Sequence, residues 1–479
     1  MEDWLYKYLK YYNNSPQWIK QIAGQVYRTI PLSIRYGKVY TEYTKLLEES
    51  QWWSKEKLQE YQWRKLEKLL AHAYKNVPYY RRIFNERRLK LRNIQNFDDF
   101  KQIPFLTKEI VRNNLESLIA KNYQKYRALF KTTSGSTAIP LGFYYEKGVA
   151  RSKELAFITA QWSRVGYRIG DRLAVLAGNV IKRGGSRKFW EYEPIKNRLI
   201  LSPYHMMDKN MRLYVEKIRK YKPKFLHVYP SALVSLANFM KKNKIPPFPS
   251  IKAILSGCES IYPWQIRLFE EVFQCKISFW YGLRELVALA GTCEQSYYYH
   301  VYPEYSYVEL IDEKGNPVTG EGAMGEVVGT TFNNDIMPFI RYKTQDLAIY
   351  TEQKCKCGRN YPLWKRIEGR LQDFIYTKSN ELVSLRPGVS GIPSIDWLQV
   401  KQIQFVQEKK GKLTIKILRD PQFSKEKVEK YVLGLFETKF KGVCDIRITF
   451  VDEITRTKSG KCPYLIQKLP IQWSSSKGN

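Results

Sequence analysis

Short apolar runs alternate with amphipathic ones between Leu173 and Trp280, and this alternation restricts the chain to a layered α/β core. Leu173–Ala177 (LAVLA), Ile251–Leu255 (IKAIL) and Lys276–Trp280 (KISFW) read as short buried strands. Helical segments at 209–220 and 231–243 lie between them. A strand apolar on both faces must be covered on both, and crossover helices do this. After Val301 the pattern changes. YSYVELIDEKGNPV reads as a hairpin with a Lys-Gly-Asn turn, and GAMGEVVGTTF and DLAIYTE continue as strands. A β-rich part is therefore expected at about 300–370.

Residues 1–130 read as mostly helical. Leu66, Leu69, Leu70 and Ala73 fall at helical spacing within 58–74, and Asn76-Val77-Pro78 stops that helix. Residues 371–479 read as a small α+β unit. VKQIQFVQEKKGKLTIKIL gives strand, turn and strand; SKEKVEKYVLGLFETKF is a helix capped by Ser424; CDIRITFVDEI is a last strand. The expected division is a helical part at 1–130, an α/β core with a β subdomain at 131–370, and a lid domain at 371–479. A chain of 479 residues is long enough for several domains.

Composition narrows the function classes. With 44% hydrophobic and 26% charged residues the chain is globular rather than disordered. No apolar run approaches the roughly 20 residues of a membrane span, and no signal-type h-region follows MEDWLYKYLK. A cytoplasmic protein is expected. Seven cysteines in this length make no disulfide framework. The formal net charge of +34 favours polyanions: nucleic acid, an anionic membrane face or acidic glycans. An AT-rich coding sequence would give the same Lys and Tyr excess without any functional basic surface.

Five segments carry chemistry. Lys131-Thr-Thr-Ser-Gly-Ser-Thr-Ala-Ile-Pro140 crowds hydroxyls around one Gly. Exposed amides and hydroxyls there suit phosphate oxygens, although a plain Ser/Thr-rich turn reads the same way and the Walker A pattern is absent. Trp280-Tyr-Gly-Leu-Arg-Glu285 follows an expected strand; its aromatic can stack on a base, and its carboxylate can hold Mg²⁺. Arg341-Tyr-Lys-Thr-Gln-Asp346 ends in an Asp placed to accept from both ribose hydroxyls. Gly369-Arg370 and Ser459-Gly460-Lys461 complete the series. A Lys at a loop tip can meet a carboxylate and a phosphate together.

In this order and spacing, the segments resemble those of the acyl-adenylate-forming superfamily. The resemblance is closer to its phenylacetate–CoA ligase-like branch, of the type found with capsule and exopolysaccharide genes. It spans roughly 55–470 and includes HAYKNVPYYRRIF, IPFLTKEIVRNN, YPSAL at 229–233, SGCES at 256–260 and IMPFIRYKTQDL at 336–347. The resemblance implies a large adenylating domain with a small mobile C-terminal one. It also implies two steps: acyl-AMP formation from ATP and a carboxylic acid, then transfer of the acyl group, by default to CoA.

The implied roles follow residue by residue. Thr133, Ser134, Gly135, Ser136 and Thr137 would bind the β- and γ-phosphates. Gly257, Cys258 and Glu259 would line the adenine site, with Tyr281 stacking on adenine beside Gly282. Glu285 would ligate Mg²⁺. Asp346, helped by Arg370, would hold the ribose. Lys461 would bridge the carboxylate and the α-phosphate, lowering their mutual repulsion. Departures from the pattern are Ala138 for the second loop Gly, Arg284 for a hydroxyl residue, Gln345 for the Gly before the ribose Asp, and Gln372 after Arg370. Arg284 is placed to contact the α-phosphate.

Cys293, His300, Cys355 and Cys357 form a standard zinc set by type, with Cys355-Lys-Cys357-Gly358 as a tight knuckle. Spacing alone also fits four unrelated residues. The resemblance implies a Cys₃His site here, structural because no ligand position is open. His72 reads as structural and His205 lies in SPYHMMD, while His227, Tyr229 and Ser231 are placed below the motif residues as candidates to touch substrate.

The leading expectation is an adenylate-forming ligase using ATP, Mg²⁺ and a structural zinc. Its acceptor is CoA, or alternatively an amine or hydroxyl of an acidic glycan. Contact with an anionic inner membrane face also fits the charge. The rivals are a nucleic-acid-binding protein, supported by charge alone and carrying no recognition motif, and a regulator that binds nucleotide without turnover.

Overall fold

The computed structural model describes residues 11–12, 15–124, 127–133, 141–177, 189–206, 208–257, 259, 261–370, 374–380, 382–385, 400–440, 442–456 and 462–469. The chain divides into two compact units: Met1–Gly170 with Glu193–Asn197 and Trp280–Arg366, and Asp171–Tyr192 with Arg198–Phe279 and Ile367–Asn479.

The first unit opens with helices. Gln17–Thr29 is followed by Leu32–Ser50, kinked at Gly37 (φ 81°), and by Lys55–Asn76, which Ser54 caps by accepting from the Lys57 N–H. Leu66, Leu69, Leu70 and Ala73 are buried, as their spacing predicts. They join Phe100, Phe143, Met337, Phe339 and Tyr342 in one apolar cluster. Thr107 caps the short helix Lys108–Asn113 by accepting from the Ile110 N–H. A sheet follows in the strand order 306–311, 324–331, 342–350, 363–370, 299–301, 289–291 and the end of 276–282.

Here one expectation is corrected. The segment after Ser306–Ile311 does turn at Asp312–Asn316, with Gly315 at φ 88°. The turn is held by the Asp312 N–H on the Asn316 carbonyl at 2.8 Å and the Asn316 N–H on Asp312 Oδ1 at 2.7 Å. Its return arm is a single bridge, Ile311 to Pro317, because proline cannot donate to a ladder. The partner strand is Met324–Thr331, antiparallel over six residue pairs.

In the second unit, Leu173–Leu176, Phe225–Val228, Ala253–Ser256 and the start of Lys276–Gly282 pair in parallel. Arg198–Leu201 joins on the other side of Leu173–Leu176, also parallel. The residues of Leu173–Leu176 and Ala253–Ser256 are all buried, as strands covered on both faces should be. Helices Asp208–Tyr221, Pro230–Lys242 and Pro263–Phe273 are interleaved with them. The C-terminal part has its own four-stranded sheet, in the order 445–450, 412–419, 400–409 and 465–467. Val428, Val432 and Phe436 of the helix Lys425–Phe440 pack in one core with Phe405, Leu413, Ile415 and Ile417. The protein is thus of mixed α/β class with a C-terminal α+β part.

Candidate active site and metal centre

In the first unit, three expected site residues come together in two pairs. Asp346 is buried and sits at an irregularity of the strand Tyr342–Tyr350, not at its end. Glu326 pairs with Leu347 and Val328 with Lys343, so Thr344, Gln345 and Asp346 oppose the single residue Val327. Such a bulge re-aims a side chain. The Thr344 hydroxyl accepts from the Asp346 N–H at 3.0 Å and donates to the Val327 carbonyl at 2.7 Å, fixing the distortion. Tyr281 OH donates to Asp346 Oδ2 at 2.8 Å, and its ring lies edge-on to Trp364. Tyr342 OH donates to Glu285 Oε1 at 3.2 Å, and Glu285 is buried.

Arg284 Nη1 donates to the Thr132 carbonyl at 2.9 Å, at the end of the strand Ala128–Thr132. Thr133 and Leu141 close the base of the Ser/Thr-rich loop. The Thr133 N–H donates to the Leu141 carbonyl at 2.9 Å, and the Leu141 N–H donates to Thr133 Oγ1 at 3.0 Å. Ser134, Gly135, Ser136 and Thr137 lie outside the described residues, as do Cys258, Lys461, Ala138 and Gln372. Arg370 is placed by its backbone in the strand Leu363–Arg370. Gly282 pairs with Leu289.

In the second unit, Gly257 follows the strand Ala253–Ser256 and is buried. Glu259 caps a neighbouring helix. Its carboxylate accepts from the Ser231 N–H at 3.0 Å and from Ser231 Oγ at 3.1 Å, at the start of Pro230–Lys242. A negative charge is favourable at a helix N-terminus. The same carboxylate accepts from the Cys462 N–H at 3.3 Å, next in sequence to Lys461.

Sequence reasoning missed Gln404. Its side-chain amide donates to the carbonyls of Thr455 and Pro463, at 3.0 and 2.9 Å, so it staples both ends of the segment that contains Lys461. Gln402 Nε2 donates to Cys462 Sγ at 3.0 Å. A Gln in an apolar strand pattern is the available signal: in VKQIQFVQ, Gln402 and Gln404 alternate with Ile403 and Phe405, which face the apolar core.

The cysteine set does assemble. One ligand atom from each of Cys293, His300, Cys355 and Cys357 lies within 4.8 Å of every other. Cys293 Sγ and Cys355 Sγ are 3.5 Å apart, and His300 Nε2 is 3.2 Å from Cys357 Sγ. A tetrahedral zinc with bonds of about 2.1–2.3 Å needs edges near these lengths. His300 Nδ1 is 3.1 Å from the Tyr298 carbonyl, which can only accept, so Nδ1 carries the proton and Nε2 presents its lone pair. Burial opposes ionisation of Cys293, but the neighbouring His300 ring, the Gln295 N–H and the Ser296 side chain outweigh it and hold the thiol below its usual range. Cys357 is also held low: burial again opposes, and the Arg359 N–H and guanidinium prevail. Burial pushes Cys355 up to about 11. The donor set fits zinc.

Residues 377–468 match the family described as the CapK C-terminal domain. "Protein CapK" of Staphylococcus aureus is 24% identical over 470 residues, covering 96% of this chain and 99% of that protein. "Phenylacetate-coenzyme A ligase" of Thermus thermophilus is 26% identical over 330 residues, 67% of this chain and 72% of that one. These relatives support the resemblance to the acyl-adenylate-forming superfamily and to its phenylacetate–CoA ligase-like branch. Among solved structures, a 2-hydroxyisobutyryl-CoA ligase in its postadenylation state shares the fold, with a TM-score of 0.68 and 16% identity over 88% of this chain and 93% of that one.

The resemblance makes one departure interpretable. Gln345 stands where the branch is expected to have Gly, and its φ is +66°. Glycine is free in that region and other residues are strained. The chain keeps the turn with a non-glycine residue. The Gln345 N–H donates to Glu326 Oε1 at 3.0 Å, and its side-chain oxygen accepts from Lys108 Nζ at 2.9 Å. Leu286, immediately after Glu285, is also left-handed, at φ 59°. Strained backbone of this kind clusters at functional sites.

Proposed function

We propose that the protein activates a carboxylic acid with ATP, releasing pyrophosphate and forming an acyl-AMP, and then passes the acyl group to the thiol of CoA. The observation that carries this reading is the pairing of Asp346 with Tyr281 beside the pairing of Glu285 with Tyr342. The first supplies an acceptor for ribose hydroxyls next to an aromatic ring for the base. The second supplies a buried, oriented carboxylate for Mg²⁺, which offsets charge developing on the phosphates.

The remaining roles are assigned by motif. Thr133 and the loop 134–137 bind phosphates, Arg284 contacts the α-phosphate, Gly257, Cys258 and Glu259 line the adenine site, and Arg370 assists Asp346. Lys461 draws the carboxylate and the α-phosphate together. Cys293, His300, Cys355 and Cys357 hold a structural zinc that ties the 351–358 segment to the Leu289–Gly291 and Tyr299–Val301 strands.

A second acceptor class, an amine or hydroxyl of an acidic glycan, is the alternative that the chain's formal net charge of +34 fits. ATP–pyrophosphate exchange with aromatic acids, amino acids, short fatty acids and uronates tests the first step. Exchange with one acid, lost in Lys461→Ala and Glu285→Ala, is the expected result. Silence across the panel with ATP still bound would point to a regulator instead. Supplying CoA or an acidic oligosaccharide to the active acid then separates the two acceptors.

A further inference from the structure

The N-terminal helix Gln17–Thr29 is docked with its more apolar side outward. Trp18, Ile22 and Val26 recur every four residues and are 62%, 54% and 59% exposed. They make a stripe about 12 Å long at 1.5 Å per residue. Gly24 lies roughly 200° around the helix from Ile22. It faces the protein so closely that an added Cβ would meet Pro194 at 2.6 Å. Lys20 is buried on that inner side, its ammonium 5.6 Å from the Tyr12 ring centre. Arg28 donates to the Pro194 carbonyl. The orientation is therefore fixed by a close backbone approach and is no accident of a loose helix. Beyond the helix, Leu32 and Ile34 are also exposed.

The charge of this region selects the occupant. Residues 11–41 contain Lys20, Arg28, Arg35 and Lys38 and no Asp or Glu. The first carboxylate after this stretch, Glu42, pairs with Lys38 at 3.6 Å; Glu2 and Asp3 precede it in the sequence. The whole chain adds a formal +34. An outward stripe of Trp and branched aliphatic side chains on a cationic, acid-free segment is the pattern of a helix that lies in the headgroup layer of an anionic bilayer. No helix among the described residues is long and apolar enough to cross a membrane.

We propose that the Trp18–Ile22–Val26 face docks the protein on the surface of an anionic phospholipid bilayer. The apolar side chains enter the acyl boundary, and the exposed Lys38 and the chain's net charge of +34 supply the attraction to the headgroups; Lys20 and Arg28 are engaged on the inner side and take no part. The helix would anchor without spanning. A second copy of the chain is the competing occupant.

The test is flotation of the full chain with vesicles of phosphatidylcholine alone or enriched in phosphatidylglycerol, at physiological salt. The triple variant Trp18→Ser, Ile22→Ser, Val26→Ser changes exposed positions only, and its melting temperature and ATP binding check its fold. Expected is binding to the anionic vesicles only, at least about tenfold weaker in the variant, which is no more than the loss of one well-buried apolar side chain. Absence of binding by the parent overturns the proposal. So does equal binding by the variant, since charge elsewhere would then suffice. A lipid-free dimer that the variant dissolves would assign the face to a second copy and would also overturn it.

Discussion

Replacing His300 by Ala or Cys357 by Ser should abolish a bound zinc, and the pH dependence of that zinc can be worked out from the cluster. Three of its four ligands are thiols, which bind metal only as thiolates. A histidine ligand binds through the lone pair of its neutral ring, so the proton count rests on the thiols. Apparent zinc affinity should therefore rise by up to about three decades per pH unit below the thiol range, one decade for each proton released. The slope should not stay at three. Cys293 and Cys357 are held below their usual range and cease to contribute first. Cys355, pushed up to about 11, keeps contributing, so the slope falls towards one as pH rises. Elemental analysis should find one zinc per chain in the parent. Competition with a chromophoric chelator, between roughly pH 6.5 and 9, measures the slope in the range where thiols of ordinary pKa titrate. A parent without stoichiometric zinc, a slope that starts at one or below, or an unchanged affinity in His300→Ala would refute the reasoning.

Three further outcomes are expected. Gln404→Leu removes the staple across the Lys461 segment while also removing a buried oxygen that has no hydrogen-bond partner, so stability should change by only about 1 kcal/mol. The exchange rate should nevertheless fall at least about tenfold with ATP affinity unchanged, and an unaltered rate would remove Gln404 from any positioning role. Gln345→Gly and Gln345→Ala both lose the Lys108 contact, so their difference isolates the left-handed backbone. Denaturant titration should find Gly more stable by about 1 kcal/mol, and equal stabilities would contradict the observed φ. His227 is held down at about 4, by burial first and by the Arg198 charge second. The unfolded chain binds its proton near the ordinary value of about 6.5, so stability is lost as pH falls from there towards 4. The loss is at most about 3 kcal/mol, since part of the side chain reaches solvent, and His227→Gln should flatten that window in pH-dependent unfolding.

The elements that could be read from sequence are those whose own residues settle them. Leu66, Leu69, Leu70 and Ala73 bury one side of a helix because 3.6-residue periodicity leaves no other way to remove them from water. LAVL and AILS are buried strands because apolar runs of that length have no solvent face to offer. Asp346, Glu285 and the four residues of the Cys/His cluster were legible as types, since few side chains suit a ribose, Mg²⁺ or zinc. Where a side chain points was not legible. Whether Asp346 ends a strand or sits on a bulge depends on the register against Glu326 and Val328, some twenty residues away. The Lys-Gly-Asn turn was visible, but its partner strand was not, because pairing is decided by what else needs a neighbour.

The same division explains Gln404 and Glu259. Each is a polar residue whose partners come from distant segments, Thr455 and Pro463 for one, Ser231 and Cys462 for the other. Spacing along the chain carries no information about such meetings. Sequence likewise shows that Gln17–Thr29 is amphipathic; only the fold decides that Gly24 goes inward against Pro194 and that Trp18 is left outside. Local sequence determines what an element must bury and which chemistry it can offer. Tertiary packing determines which of those groups are brought together and which are left facing out, because burial and hydrogen bonding are satisfied by the whole chain at once.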